Sequence, residues 1–139
     1  MKIRITDVIE ALQSDASEFA YFYNTKTGEI IVYCDGMING TKNPEVEKEL
    51  ECNYEKYIKL PGRHEFNEYR RMKEFIEILP DDKIKKRLFD AVQGRGAFQR
   101  FKDQIYGLGI EQNWYQYRED EYERIAREWC EEKGFELVE

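Results

Sequence analysis

The residues in this sequence with most chemistry to offer are cations. The stretch GRGAFQRFKD, residues 94–103, sets Arg95 between two glycines and follows it with Arg100 and Lys102. Guanidinium and ammonium groups bind phosphate and carboxylate oxygens, and the free N–H groups of a helix start add further donors. Gly94 and Gly96 also suit a tight corner that ends one helix and begins the next. The stretch therefore reads either as an anion-gripping loop or as a corner alone. On a helical wheel with Phe98 at zero, Arg100 falls near about 200° and Lys102 near about 40°. Those two cations leave opposite flanks and do not both grip one small phosphate with Arg95. No phosphate-cradling loop is implied, because no strand precedes GRG and no Lys-Ser/Thr follows it. A helix-hairpin-helix reading is weak, since Arg95 stands where an apolar residue belongs and Asp103 sits beside the cations.

Arg118 is the second unusual cation. At 100° per residue, Trp114, Arg118, Tyr122, Ile125 and Trp129 fall within about 80° of one another, which places a charge amid an aromatic stripe. An unpaired cation there costs on the order of several kcal/mol, so Arg118 requires a partner or a ligand. Glu74, Glu77 and Asp90 are the expected internal carboxylates, and stacking on Trp114 or Tyr122 is a further option. The candidate anion-binding residues are thus Arg95, Arg100, Lys102 and Arg118.

Charge distribution supplies a second set. The chain carries a formal −7, yet residues 61–102 hold 11 Lys/Arg against 7 Asp/Glu, an excess of +4. Residues 1–60 stand at −4, from 7 against 11, and residues 103–139 at −7, from 4 against 11. Such asymmetry marks either a basic surface for an anionic partner or a basic segment neutralised by the acidic last helix. Arg70, Arg71, Lys86 and Arg87 are the candidate nucleic-acid contacts, with weak, salt-sensitive binding expected because the whole chain is acidic. Other chemistry is poorly supported. The lone His64 precludes a multi-histidine metal site, and no local motif supports a Cys34–His64 nucleophile. Three widely spaced cysteines suggest reduced thiols rather than a disulfide framework. No catalytic residue, metal or cofactor is assigned.

The elements that must position these residues divide at about residue 60. KIRI reads as a short strand, and TDVIEALQ as a helix capped by Thr6 or Asp7 with Val8, Ile9 and Leu12 inward. FAYFYNTKTGEIIVYC is the clearest β signal, two aromatic or β-branched runs around a turn. TKNPEVEKELE predicts a short helix with Asn43 as cap and Pro44 at its first position. YIKLP predicts a third strand. Beyond it, Tyr69, Met72, Phe75, Ile76 and Leu79 form one apolar stripe that excludes Arg70, Arg71 and Lys73. Ile84, Leu88, Ala91 and Val92 form the next, with Lys83, Lys86 and Arg87 turned to solvent. Phe98, Phe101, Ile105 and Leu108 form a third, on a helix ended by Gly107 and Gly109. A long helix from about Glu111 to Lys133 precedes GFELV, which returns as a strand.

The expected class is α+β: a small antiparallel sheet, made of an N-terminal hairpin plus a third strand, packed with a C-terminal helical bundle of about four helices. Residues 1–139 read as a single domain, with 1–60 mainly β-hairpin and short helices and 61–139 helical. Scattered charge over the first residues argues against a secretory signal, and no stretch nears the about 20 apolar residues of a membrane span. A cytoplasmic location without membrane attachment is expected.

The run Gly94, Arg95, Gly96, Ala97, Phe98, Arg100, Phe101 and Lys102, with Trp114, Tyr115, Trp129 and Cys130 at their spacings, resembles the family numbered 0158 in the uncharacterised-protein series, small bacterial proteins of unknown function. Upstream EYRRMKEF and DVIEAL extend the likeness over most of the chain. The resemblance implies a shared fold and no particular activity. Gln99 departs from the family pattern, where a further basic residue is common, which weakens a phosphate site. The expectation is a binding or regulatory module with a basic middle segment, rather than an enzyme, with an anionic, nucleic-acid or protein partner. The alternatives are a structural or protein-interaction domain without a ligand site, and a small-molecule or phosphate-ester enzyme using Arg95 and Arg118.

Overall fold

The computed structural model describes residues 1–14, 19–34 and 44–138. In chain order the elements are β1 (Lys2–Arg4), α1 (Ile5–Gln13), β2 (Phe19–Asn24), β3 (Ile30–Cys34), α2 (Pro44–Cys52), a 3-10 turn (Tyr54–Lys56) and β4 (Tyr57–Lys59). They continue with α3 (Arg63–Phe66), α4 (Glu68–Glu77), α5 (Asp82–Ala91), α6 (Ala97–Leu108), α7 (Glu111–Lys133) and β5 (Glu136–Val138). The class is α+β, with a three-stranded antiparallel sheet in the order β3-β2-β4. The chain divides into two compact units, Met1–Phe66 with Tyr122–Glu139, and Asn67–Glu121.

In the first unit, the aromatic and β-branched runs pair as expected, with Tyr23 opposite Ile30 on β3 and Ile58 on β4. The turn between β2 and β3 is set by Asn24, whose side-chain oxygen accepts from the backbone N–H groups of Lys26 (2.9 Å) and Thr27 (3.2 Å). Short polar side chains that bond their own backbone are what make such sequences turn. The two outer strands, β1 and β5, form a separate parallel pair, with Ile3 opposite Leu137. Their sequences promised strands but not each other, since a three-residue strand satisfies its backbone only against whatever edge the fold brings near. Val8, Ala11 and Leu12 of α1 join Ile3, Tyr23, Leu60, Phe66, Tyr122, Ala126, Cys130 and Phe135 in an apolar core. Phe66 stacks on Tyr122 with ring centroids 3.8 Å apart. Helix α1 starts at Ile5, after Arg4, and no side chain caps it. The expected caps, Thr6 and Asp7, lie inside its first turn, where the Asp7 charge still favours the helix dipole. Asn43, the expected cap of α2, lies outside the described residues.

The second unit holds α4, α5, α6 and residues 111–121 of α7. Asn67 takes a left-handed φ of 51° and accepts from Arg70 N, capping α4. Asp81 caps α5 by accepting from Lys83 N (2.8 Å) and Ile84 N (3.2 Å). Each cap satisfies N–H groups that a helix start leaves unpaired. Met72, Phe75, Ile76, Leu79, Leu88, Val92, Phe101, Ile105 and Trp114 form the core, with Phe101 and Trp114 edge-to-face at 5.1 Å. Two expected core members stay near the surface. Tyr69 is 40% exposed and Phe98 38%, and the buried position at the start of α6 belongs to Ala97. Gly107 lies within α6, which ends at Gly109.

Candidate functional site

Helix α5 presents a cationic face for the reason its sequence implies. Leu88 and Val92 are buried, so Lys83, Lys86 and Arg87 are left exposed, and none of these three forms an ion pair among the described residues. Two arginines of the acidic last helix pair within that helix. Arg124 pairs with Glu128 at 2.8 Å and Arg127 with Glu123 at 2.9 Å, each one turn along α7. Arg70 on α4 is also exposed, and its Nε lies 3.4 Å from Glu74 Oε1.

Arg71 is the correction to the candidate nucleic-acid contacts. It was expected outside the apolar stripe, but it is only 6% exposed. Its Nη1 lies 3.3 Å from Glu74 Oε2 and 3.9 Å from Glu121 Oε2, and Glu121 is itself buried. A guanidinium held this way cannot reach a phosphate. Burial, together with a hydrogen bond to Glu121, pushes the Tyr117 phenol up to about 12, because an adjacent carboxylate and a dry setting both disfavour a second negative charge. Sequence reasoning missed this network. A signal was present: Glu121 lies about 20° from Trp114 on the α7 wheel, inside the same apolar stripe as Arg118, and a buried carboxylate demands a cation.

The GRG stretch forms a tight corner between α5 and α6. Gly94 and Gly96 both have left-handed φ, 72° and 76°, as a tight reversal after α5 requires. Arg100 reaches back over the turn. Its Nε donates to the Ala91 carbonyl at 2.8 Å, and its two terminal nitrogens donate to the carbonyls of Arg95 and Gln93. A helix C-terminus leaves its last carbonyls without partners; of the three that Arg100 supplies, Ala91 ends α5 and Gln93 and Arg95 belong to the turn. The guanidinium expected to meet an anion thus bonds the end of α5 and the turn that follows it. It also explains Gly96, where an added Cβ would come within 2.9 Å of Arg100 Nη1. Arg95 remains exposed. Lys102 lays its ammonium 4.6 Å from the centre of the Phe98 ring.

Arg118 has an internal partner, but not one of those expected. Its Nη1 lies 3.4 Å from Glu68 Oε1, the first residue of α4, and its guanidinium stands 5.4 Å from the centre of the Tyr115 ring. The Tyr115 hydroxyl is 3.1 Å from that of Tyr106. The pair is half-buried, with side-chain exposures of 27% and 22%. Glu74 is taken by Arg70 and Arg71. Three of the four candidate anion ligands have internal partners of their own: Glu68 for Arg118, three backbone carbonyls for Arg100 and the Phe98 ring for Lys102.

Elsewhere, the first unit has an open groove of about 430 Å³ lined by Phe22, Tyr33, Leu50, Glu51 and Tyr54. None of the sequence-predicted residues lines it. His64 is exposed, and the Cys34 side chain lies outside the described residues. Burial pushes the Cys130 thiol up, away from the reactive thiolate. No helix of the described residues is long and apolar enough to cross a membrane.

Comparison with curated proteins and with solved structures finds no match to either. The match that exists runs from residue 1 to residue 139, the same span over which the capped helices, the GRG corner and the Arg71–Glu121 network are laid out, and it places this chain in the uncharacterised protein family UPF0158.

Proposed function

We propose that this chain is a non-enzymatic binding or regulatory module that holds an anionic partner on the basic face of its second unit. In this reading α4, α5, α6 and the start of α7 act as a helical bundle of about four helices that presents the cations. The observation that carries the reading is the unpaired, exposed set Lys83, Lys86 and Arg87 on one helix, with Arg70 on the preceding one exposed but paired with Glu74. Free cations on a rigid helix attract a polyanion without the desolvation cost of breaking existing pairs. Arg71 belongs to the interior and is no part of this face. Arg118 supports the competing enzyme reading poorly, since Glu68 already neutralises it.

Titrating heparin and oligonucleotides against the protein at low and physiological salt tests the proposal. Binding is expected to weaken steeply with salt, and to fall at least tenfold when Lys83, Lys86 and Arg87 are changed to Glu. Indifference to the charge reversals, or no binding at low salt, removes the reading.

A further inference from the structure

Helices α4 and α6 repeat one device. Each carries a partly exposed aromatic residue with a lysine four positions on, folded over its ring. Lys73 Nζ lies 4.7 Å from the centre of the Tyr69 ring, and Lys102 Nζ lies 4.6 Å from that of Phe98. Residues four apart share a helix face, so the pairing follows from the spacing alone. The two devices border the same corner. The Tyr69 hydroxyl donates to the Val92 carbonyl at 2.8 Å, which anchors its ring beside the end of α5. Phe98 is the second residue of α6, just past Gly96, and the exposed Arg95 lies between the two glycines. The other aromatic residues of this unit's apolar stripes, Phe75, Phe101 and Trp114, are in the core. Tyr69 and Phe98 are left partly in water, each with a cation attached.

Resting on the anionic-partner reading above, we infer that the partner is single-stranded nucleic acid, with bases stacking on Tyr69 and Phe98 around the Gly94–Gly96 corner. A polyanion without bases uses the cations and has no use for the rings. A duplex keeps its bases stacked on one another and offers these side chains only phosphates. A single strand offers both, since every base has a π face and stacking on aromatic side chains tolerates any sequence. A base takes the place of the ammonium on the ring, and the freed ammonium turns to the adjoining phosphate. Arg95, Lys73 and Lys102 then follow the backbone past the corner, while Arg100, engaged with three carbonyls, holds the corner's shape.

The test measures fluorescence anisotropy of labelled deoxythymidine and uridine oligonucleotides of about 15 nucleotides, a length in the range one such surface occupies. A duplex and heparin serve as base-shielded and base-free polyanions. Phe98→Leu and Tyr69→Leu are each expected to weaken the single strand about tenfold and leave heparin unchanged. Tyr69→Phe and Phe98→Trp retain binding, and the emission of the Phe98→Trp variant is quenched by oligonucleotide but not by heparin. Single-strand affinity that ignores both leucine substitutions, or a duplex bound as tightly as the single strand, overturns the inference while heparin binding keeps the broader reading. Failure of every polyanion at low salt removes both. Because Phe98 bonds to no polar group, Phe98→Leu tests the ring even if Tyr69→Leu, which loses the Val92 bond, disturbs the fold.

Discussion

The two units bury comparable aromatic cores but border them differently. In the unit of residues 1–66 and 122–139, the buried side chains are apolar, from Ile3 to Phe135. In the unit of residues 67–121, Phe75, Phe101 and Trp114 occupy the centre, and Arg71 and Glu121 are buried as well. These two are the charged side chains buried among the described residues. An apolar core tolerates substitutions of similar volume, whereas a buried ion pair tolerates the loss of neither partner. The first unit therefore depends on volume, and the second depends on volume and on one register of charges between α4 and α7. The unit that keeps its ions inside is also the one that leaves Lys83, Lys86 and Arg87 unpaired outside.

The largest effects should separate the units by mechanism. Phe66→Ala removes a fully buried ring and is expected to cost about 4 kcal/mol. Arg71→Met keeps the stem but takes the cation away from the buried Glu121, at about 3 kcal/mol, and Arg71→Met combined with Glu121→Leu should recover most of that loss. Arg118→Met, whose ion pair is half-exposed, should cost only about 1 kcal/mol. Urea denaturation with hydrogen exchange followed in each unit checks these values. A double substitution no better than the single one would break the distinction between the two cores.

A smaller effect tests the corner of the second unit. Gly94→Ala should cost about 1 kcal/mol, the strain of a left-handed φ alone, because an added Cβ meets nothing within 4 Å. Gly96→Ala should cost about 2 kcal/mol, since it adds displacement of the Arg100 guanidinium to similar strain. Equal midpoints in chemical denaturation would show that Arg100 does not hold the turn.

The smallest effect is a change of slope. Tyr117 in the folded protein is pushed up to about 12 from its ordinary 10.0, so folding favours the neutral phenol. Its contribution is intact below about pH 10 and is lost as pH rises through about 12. Wild type should therefore lose stability over that window faster than Tyr117→Phe. The other raised phenols, Tyr21, Tyr57 and Tyr106, are present in both proteins and cancel in the difference. Parallel curves above pH 10 would mean that Tyr117 does not lean on the buried Glu121.

Much of this was legible because it is local. Period and punctuation placed the hairpin, the helix from Glu111 to Lys133 and the solvent side of Lys83, Lys86 and Arg87, all of which depend on residues within a few positions. The tight corner at GRG was legible for the same reason. The wheel failed at its margins: Tyr69, Phe98 and Arg71 sit at the edges of their stripes, and a neighbouring element decides which edge is covered. The candidate site was legible as a set of cations but not as an arrangement.

By itself the sequence determined which faces of these helices are apolar, where the chain turns, and that a basic segment lies between two acidic ones. Only the tertiary structure decided that Lys2–Arg4 pairs with Glu136–Val138, that Glu68 answers Arg118 across 50 positions, and that Arg71 turns inward to Glu121. Hydrophobic periodicity is written into adjacent residues and survives without partners. The identity of a charge's partner, or of a strand's, depends on which distant segment the folded chain brings within a few ångströms, and several carboxylates along this sequence could have met either arginine equally well.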